Sequence, residues 1–172
     1  MKLSKTSITI LIAFVLSSFF FIKAVIDKEH TIAKGQLIYL ELAPVDPRSL
    51  MQGDYMNLNY AIQGNRWQFD ETGQTDTLKL PPRGYVLVEV DSSKVAKFIS
   101  RGAIKNSPKK SQLYIKYFNG SEWSYNIGAE SYFFQEGHAK KYEKAKYGGL
   151  RVDEKGNSVL IGLFDKDLKL IQ

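Results

Sequence analysis

The sequence predicts a mainly β protein of the α+β class, in which an N-terminal transmembrane helix precedes one compact β domain with a single packed helix near residues 136–147. Three observations predict it: an apolar N-terminal run, short alternating segments separated by turn residues, and one stretch with helical spacing. The 172 residues suffice for one such domain. We expect a cytoplasmic N-terminus and anchor over 1–26, a polar linker over 27–34 and an extracytoplasmic domain over 35–172.

The first element is the apolar run over residues 7–26, which we expect to lie in the lipid bilayer. A spanning helix needs about 20 mostly apolar residues. This run reaches that length, and Lys23 can extend its ammonium group to the headgroups. A cleaved signal peptide is the alternative, but the run ends without the small residues of a cleavage site. Lys2 and Lys5 predict an inside N-terminus and an exported domain.

The charge and the cysteine content exclude several classes of function. The net charge is +6, from 24 basic and 18 acidic residues. Lys2, Lys5 and Lys23 belong to the anchor, which leaves 21 basic and 18 acidic residues, a net charge of +3, in the rest. An exported domain with so small an excess is not expected to bind nucleic acid. The chain has no cysteine, which excludes disulfides and thiolate nucleophiles.

Alternating apolar residues after the linker predict short strands separated by turns. In the first strand Ile38 and Leu40 share one face, and two prolines end the strand. In a stronger strand after a Pro-Pro-Arg-Gly turn, Val86, Val88 and Val90 share one face. Further strands or hairpins are expected over residues 54–62, 76–80, 94–102, 111–127 and 150–163.

The stretch with helical spacing covers residues 136–147, and Gly148-Gly149 act as its stop signal. Lysines at four positions make this helix basic, and positions three or four apart share a face. From it we take as binding or interface candidates Glu136, His138, Lys140, Tyr142 and Lys144. A solvated polar surface is the alternative interpretation of the same residues.

The most specific motif is Gly-Asp-Tyr-Met-Asn-Leu-Asn-Tyr over residues 53–60. Its Gly-Asp start predicts a turn. Alternation along the following strand predicts a buried face made by Met56, Leu58 and Tyr60.

Two interpretations of this motif remain open. In the structural one, the turn and the core need Gly53, Leu58 and Tyr60. In the functional one, a docking or ligand surface is formed by Asp54, Tyr55 and Asn57.

The motif matches in full the pattern Gly-Asp-Tyr-x-x-Leu-x-Tyr, and the chain therefore resembles the GDYXXLXY family of bacterial membrane-anchored proteins. Residues 136–163 resemble that family's second block, with its Glu-Gly start, its Tyr-Glu pair and an Arg-Val-Asp…Gly…Leu-x-Gly-Leu hairpin. Arg151 of this hairpin is a further interface candidate. The resemblance implies a single-pass protein of the bacterial inner (cytoplasmic) membrane that accompanies a multi-pass membrane protein. It implies no catalytic residue.

A weaker resemblance is to type I signal peptidases, which are also N-anchored β proteins. Gly53 and Asp54 fit the end of their serine motif, but Val45 occupies the position of the serine. Nothing places Lys97 against Ser49, the nearby hydroxyl, and a serine nucleophile needs a base beside it. A related fold without the nucleophile is therefore the alternative, and no catalytic residue is predicted.

No metal or cofactor site is predicted. His30 and His138 are the only histidines, they lie far apart in the chain, and no cysteine accompanies them. Neither a phosphate-binding loop nor a dinucleotide fingerprint is present.

The sequence favours a binding role over an enzyme: an extracytoplasmic accessory subunit of a bacterial envelope complex. The alternative is an envelope module that senses a peptide, glycan or lipid headgroup beside the basic helix.

Overall fold

The computed structural model describes residues 4–43, 55–63, 81–102, 107–120, 124–135 and 137–171. It confirms a mainly β protein with a long N-terminal helix and a short second helix. The helices are α1 (Lys5–Lys34) and α2 (Ala139–Tyr142), and a 3₁₀ turn covers Ala61–Gln63. The strands are β1 (Gln36–Glu41), β2 (Tyr55–Asn57), β3 (Gly84–Val90), β4 (Ala96–Gly102), β5 (Gln112–Tyr117), β6 (Ser131–Phe133), β7 (Tyr147–Val152) and β8 (Ser158–Phe164).

Helix α1 is one uninterrupted helix of 30 residues. Ser4 caps its start, since the Ser4 hydroxyl accepts a hydrogen bond from the backbone N–H of Ser7 at 3.1 Å. The apolar side chains between Ile8 and Ile26 are exposed. By length and composition α1 can cross a membrane, a test that a signal sequence also passes. The polar segment 27–34 belongs to the same helix.

The first sheet, with strand order β1–β7–β8, is antiparallel. We define the junction end of this sheet as Gly35 and residues 151–158, where α1 meets the sheet. At this end Gln36 pairs with Val152, and Val152 with Ser158. At its far end Glu41 pairs with Tyr147, and Tyr147 with Phe164. Along β1 the two ends are five residue steps apart, from Gln36 to Glu41, which corresponds to about 17 Å.

The second sheet has the order β4–β3–β5, and β2 pairs with β6 in a small third sheet. A parallel bridge between Tyr39 and Val95 joins the second sheet to β1. The N–H of Lys116 in β5 donates to the carbonyl of Gly156 at 2.8 Å. A bridge between Leu42 and Tyr60 places the third sheet at the far end.

One core lies between the sheets. The predicted buried faces are found in β1, where Ile38 and Leu40 are fully buried, and in β3, where Val86 and Val88 are fully buried. In β1 the alternation itself is broken, because Tyr39 is also buried, against Phe164. These β-branched and leucine side chains belong to the core whose removal from water stabilises the fold. The core therefore forms from residues that the period-two pattern identifies.

The predicted helix over residues 136–147 is much shorter than expected, because α2 comprises only Ala139–Tyr142. Tyr147 and the two glycines after it belong instead to β7, where Gly148 pairs with Leu40 and Gly149 with Tyr39. Pairing with β1 satisfies these backbone groups and overrides the local helical pattern. Residue 136 lies outside the described residues.

Two predicted strands also differ from the structure. Of the segment 54–62, only Tyr55–Asn57 is a strand, and the 3₁₀ turn begins at Ala61. Within the described part of 111–127, the predicted partner strand is present as one bridge, between Phe118 and Asn126. The predicted strand over 76–80 lies outside the described residues.

Candidate functional site

The strand that carries the Gly-Asp-Tyr motif has one buried and one exposed face. Met56, Leu58 and Tyr60 are at most 4 % exposed, whereas Asn57 and Asn59 are exposed. The backbone of Tyr55 pairs with Phe133 of β6. Gly53 and Asp54 lie outside the described residues.

Tyr60 connects the motif to β7. Its hydroxyl donates to the carbonyl of Ala129 at 2.6 Å, and its ring lies against Gly148. A Cβ atom added at Gly148 would lie 2.8 Å from Cε1 of that ring, so only glycine allows this approach. Burial, assisted by the charge of Glu130, raises the pKa of Tyr60 far above its ordinary value. The motif and the second block are therefore in direct contact.

Behind the motif, the carboxylate of Glu130 organises the loop after Tyr125. It accepts hydrogen bonds from the backbone N–H groups of Ile127 and Gly128 and from the side-chain amide of Gln63. The same amide of Gln63 donates to the carbonyl of Tyr125 at 2.9 Å. Sequence reasoning did not identify Glu130 or Gln63, because neither belongs to a recognisable pattern.

An exposed surface at the far end surrounds the motif strand. Phe133 is 74 % exposed, the largest exposure among the apolar side chains described. We call it, together with the exposed residues Asn57, Asn59 and Ser131, the motif face. The motif face thus offers one apolar ring beside three polar side chains.

The candidates on and around α2 do not form one surface. Tyr142 is buried and packs against Tyr132, with ring centroids 5.1 Å apart, and against Phe134. Burial, together with a hydrogen bond to Tyr142, raises the pKa of Tyr132 to about 12. His138, in contrast, is exposed. The structure therefore does not place His138 and Tyr142 on a common exposed face.

Lys140 and Lys144 are exposed at the far end, close to the start of β7. A helix of four residues is too short to present a continuous basic face, because it makes little more than one turn. The two lysines are therefore separate surface charges.

The remaining candidate, Arg151, lies at the junction end. Its guanidinium donates to the carbonyl of Gly35 at 2.8 Å. Gly35 follows the last residue of α1, and a Cβ atom there would lie 2.5 Å from the carbonyl oxygen of Thr31 and 3.0 Å from the backbone nitrogen of Val152. The chain thus leaves α1 in close backbone contact with β7.

Asp153 completes the junction. Its carboxylate accepts hydrogen bonds from the N–H groups of Lys155 and Asn157, from the side-chain amide of Asn157 and, at 3.2 Å, from the hydroxyl of Thr31 in α1. Partial burial by itself raises the pKa of Asp153, but the hydrogen bonds from Asn157, Lys155 and Thr31 outweigh it and hold that pKa below its ordinary value. Thr31 is only 2 % exposed, so the end of α1 is packed into the domain.

A family model described as "GDYXXLXY protein" matches residues 17–163, which is most of the chain. The chain belongs to the GDYXXLXY family. No curated protein and no solved structure matches it, and the resemblance to type I signal peptidases is not supported. Ser49 lies outside the described residues.

The GDYXXLXY pattern specifies five positions, and the structure explains two of them. Leu58 and Tyr60, which occupy the named Leu and Tyr positions, are core residues. Of the three unspecified positions, Asn57 and Asn59 are exposed and Met56 is buried. The family's pattern is therefore at least partly architectural. Within the described ranges, no group of three or more His, Cys, Asp or Glu side chains is arranged to hold a metal ion.

Proposed function

We propose that this GDYXXLXY protein is a membrane-anchored accessory subunit of a bacterial envelope complex, and that its partner is a multi-pass integral membrane protein. The observation that supports it most is the junction, in which α1 enters the domain as a continuous helix and is bonded to it through Thr31, Gly35 and Arg151. A domain that only needed to stay near the membrane would be served by a flexible tether.

The dimensions of α1 fit this role. Residues 8–26 form about 28 Å of helix, close to the hydrocarbon thickness of about 30 Å. Residues 27–34 add about 12 Å, which is enough to pass the outer headgroups. In this arrangement the junction end lies next to the membrane surface, and the domain keeps one orientation relative to the helix. A fixed orientation favours repeated contact with a partner in the same membrane.

The motif face is the surface that we propose for the partner. Its exposed Phe133 ring offers apolar area, and Asn57 and Asn59 offer hydrogen-bonding groups around it. Interfaces commonly combine an aromatic anchor with a polar surround. Because this face is at the far end, the partner has to contact it with an extracytoplasmic segment. A ligand site beside the basic helix draws less support, because α2 has only four residues.

The proposal is tested by photo-crosslinking in intact cells that express the full chain. A photoreactive amino acid is placed at Asn57 or Phe133, and, as a control, at Lys97, an exposed residue of β4. We expect one discrete membrane-protein adduct from both motif-face positions and none from position 97. If folded protein carries no adduct at either motif-face position, the proposed interface is wrong.

A further inference from the structure

A groove of about 600 Å³ opens beside the start of β3 and the end of β5. It is lined by Arg83, Gly84, Tyr85, Lys116, Tyr117 and Phe118. Among the described residues that line it, none is acidic. Its walls therefore combine two cationic groups with the aromatic side chains of Tyr85 and Phe118, and the buried Tyr117 lies behind them.

The aromatic wall is held in place from behind. The ring of Tyr85 packs edge-on against Tyr114, with centroids 5.9 Å apart, and Tyr117 packs against Tyr125 at 5.4 Å. The guanidinium of Arg101 lies 5.6 Å from the Tyr117 ring and 4.8 Å from the Tyr125 ring. Arg101 therefore stacks on both rings from behind, and the two cations that line the groove, Arg83 and Lys116, favour an anionic ligand.

A chain of hydrogen bonds connects the groove to α1. The ammonium of Lys116 donates to the side-chain carbonyl of Asn157 at 2.8 Å, and the amide of Asn157 donates to Asp153 at 2.7 Å. Asp153 in turn accepts from Thr31 of α1 at 3.2 Å. Thr31 lies five residues beyond Ile26, the last residue of the apolar run, which corresponds to about 7.5 Å along the helix axis.

That distance compares directly with the thickness of a headgroup layer. A bilayer of about 40–45 Å has a hydrocarbon core of about 30 Å, which leaves roughly 5–8 Å of headgroup region on each side. If α1 spans the membrane, Thr31 lies close to the level of the outer lipid phosphates, and the groove cation Lys116 is three hydrogen bonds away from it.

We propose that this groove binds the headgroup of an anionic phospholipid from the membrane that holds α1. Arg83 and Lys116 would contact the phosphate, and the rings of Tyr85 and Phe118 would cover the glycerol and the upper acyl chain. Basic and aromatic side chains are the types that favour the interfacial region. The proposal rests on α1 being a membrane anchor, as in the proposed function, but not on any contact of the motif face.

The test uses the full chain in nanodiscs with equal amounts of phosphatidylglycerol and phosphatidylcholine. Native mass spectrometry measures which lipid remains bound after release. We expect wild-type protein to retain phosphatidylglycerol preferentially, and Arg83→Gln with Lys116→Gln to reduce that retention by tenfold or more, since each cation near the surface contributes about fivefold. The matched control, Lys109→Gln with Lys110→Gln, removes the same charge outside the groove and should retain the lipid.

Lys116 also bonds to Asn157, so its loss can disturb the junction. Arg83→Gln alone keeps that bond, and we expect it to reduce retention by about fivefold. Equal retention of the two lipids by wild-type protein overturns the proposal. Free glycerol phosphate is added as a competitor in a second measurement. Complete displacement of phosphatidylglycerol by it also overturns the proposal, because the groove would then be a site for a soluble phosphate. Either result leaves the crosslinks of the motif face untouched and so does not decide the subunit role.

Discussion

The two ends of the β1–β7–β8 sheet are stabilised by different kinds of contact. At the junction end, hydrogen bonds predominate: Arg151 donates to the carbonyl of Gly35, and Thr31 donates to Asp153. At the far end, aromatic packing predominates, with the Tyr60 ring against Gly148 and Tyr132 against Tyr142. The first end binds a helix that enters from outside the domain, whereas the second closes the core.

One strand of six residues, β7, serves both ends. Gly148, its second residue, receives the ring of Tyr60, and Arg151, its fifth, bonds to the carbonyl after α1. The second block of the family therefore sets the distance between the helix and the motif. The motif and β7 therefore form one structural unit, and we expect the core contact to carry more stability than the polar contact.

The largest effect is expected from Tyr60→Ala. This change removes a ring that is 1 % exposed, and deletions of that size in a core cost about 4 kcal/mol. Tyr60→Phe keeps the ring and loses only the bond to Ala129, so we expect it to cost about 1–2 kcal/mol. Urea unfolding of the full chain in detergent, followed by circular dichroism, measures both. Equal losses in the two variants would show that the packing of the ring matters little.

An intermediate effect is expected at the junction from Gly35→Ala. The backbone of Gly35 has a φ of −60°, which alanine adopts readily, so the cost comes from the clash of Cβ with the carbonyl of Thr31. We expect about 2 kcal/mol, typical of overpacking. Hydrogen exchange should become faster at residues 27–34, while the β3 amides, such as that of Val86, should keep their protection. Loss of protection throughout the chain would contradict a separable junction.

The smallest effect is a pH dependence that arises from Asp153. Because hydrogen bonds hold the folded-state pKa of this carboxylate below its unfolded value of about 3.9, its contribution to stability is present above about pH 4 and is lost as the pH falls through the folded-state pKa. We expect the free energy of unfolding to decrease more between about pH 5 and pH 3 in the wild type than in Asp153→Asn. The turn that contains Asp153 is partly open to solvent, and this keeps the pH-dependent change in the free energy of unfolding small. Parallel pH curves for the two proteins would contradict it.

The fold was largely predictable, and the candidate site only partly. The period of apolar residues identified the buried faces of β1 and β3 and the buried side of the motif strand. This was possible because successive side chains of a strand point to opposite faces, so that the spacing of apolar residues in the sequence indicates which face is buried. The extent of α2 was wrong, since Gly148 and Gly149 look like a helix stop locally but in fact pair with β1. Arg151 was identified as a candidate, but its partner, the Gly35 carbonyl, could not be read from the sequence.

The sequence by itself determined the apolar helix, the mainly β domain after it and the membership of the GDYXXLXY family, because each depends on residues that are neighbours in the chain. Only the tertiary structure decided that Tyr60 needs Gly148, that Thr31 bonds to Asp153, and that Arg83 and Lys116 share a groove. These contacts join residues between 33 and 122 positions apart, and only the packing of the sheets brings them together.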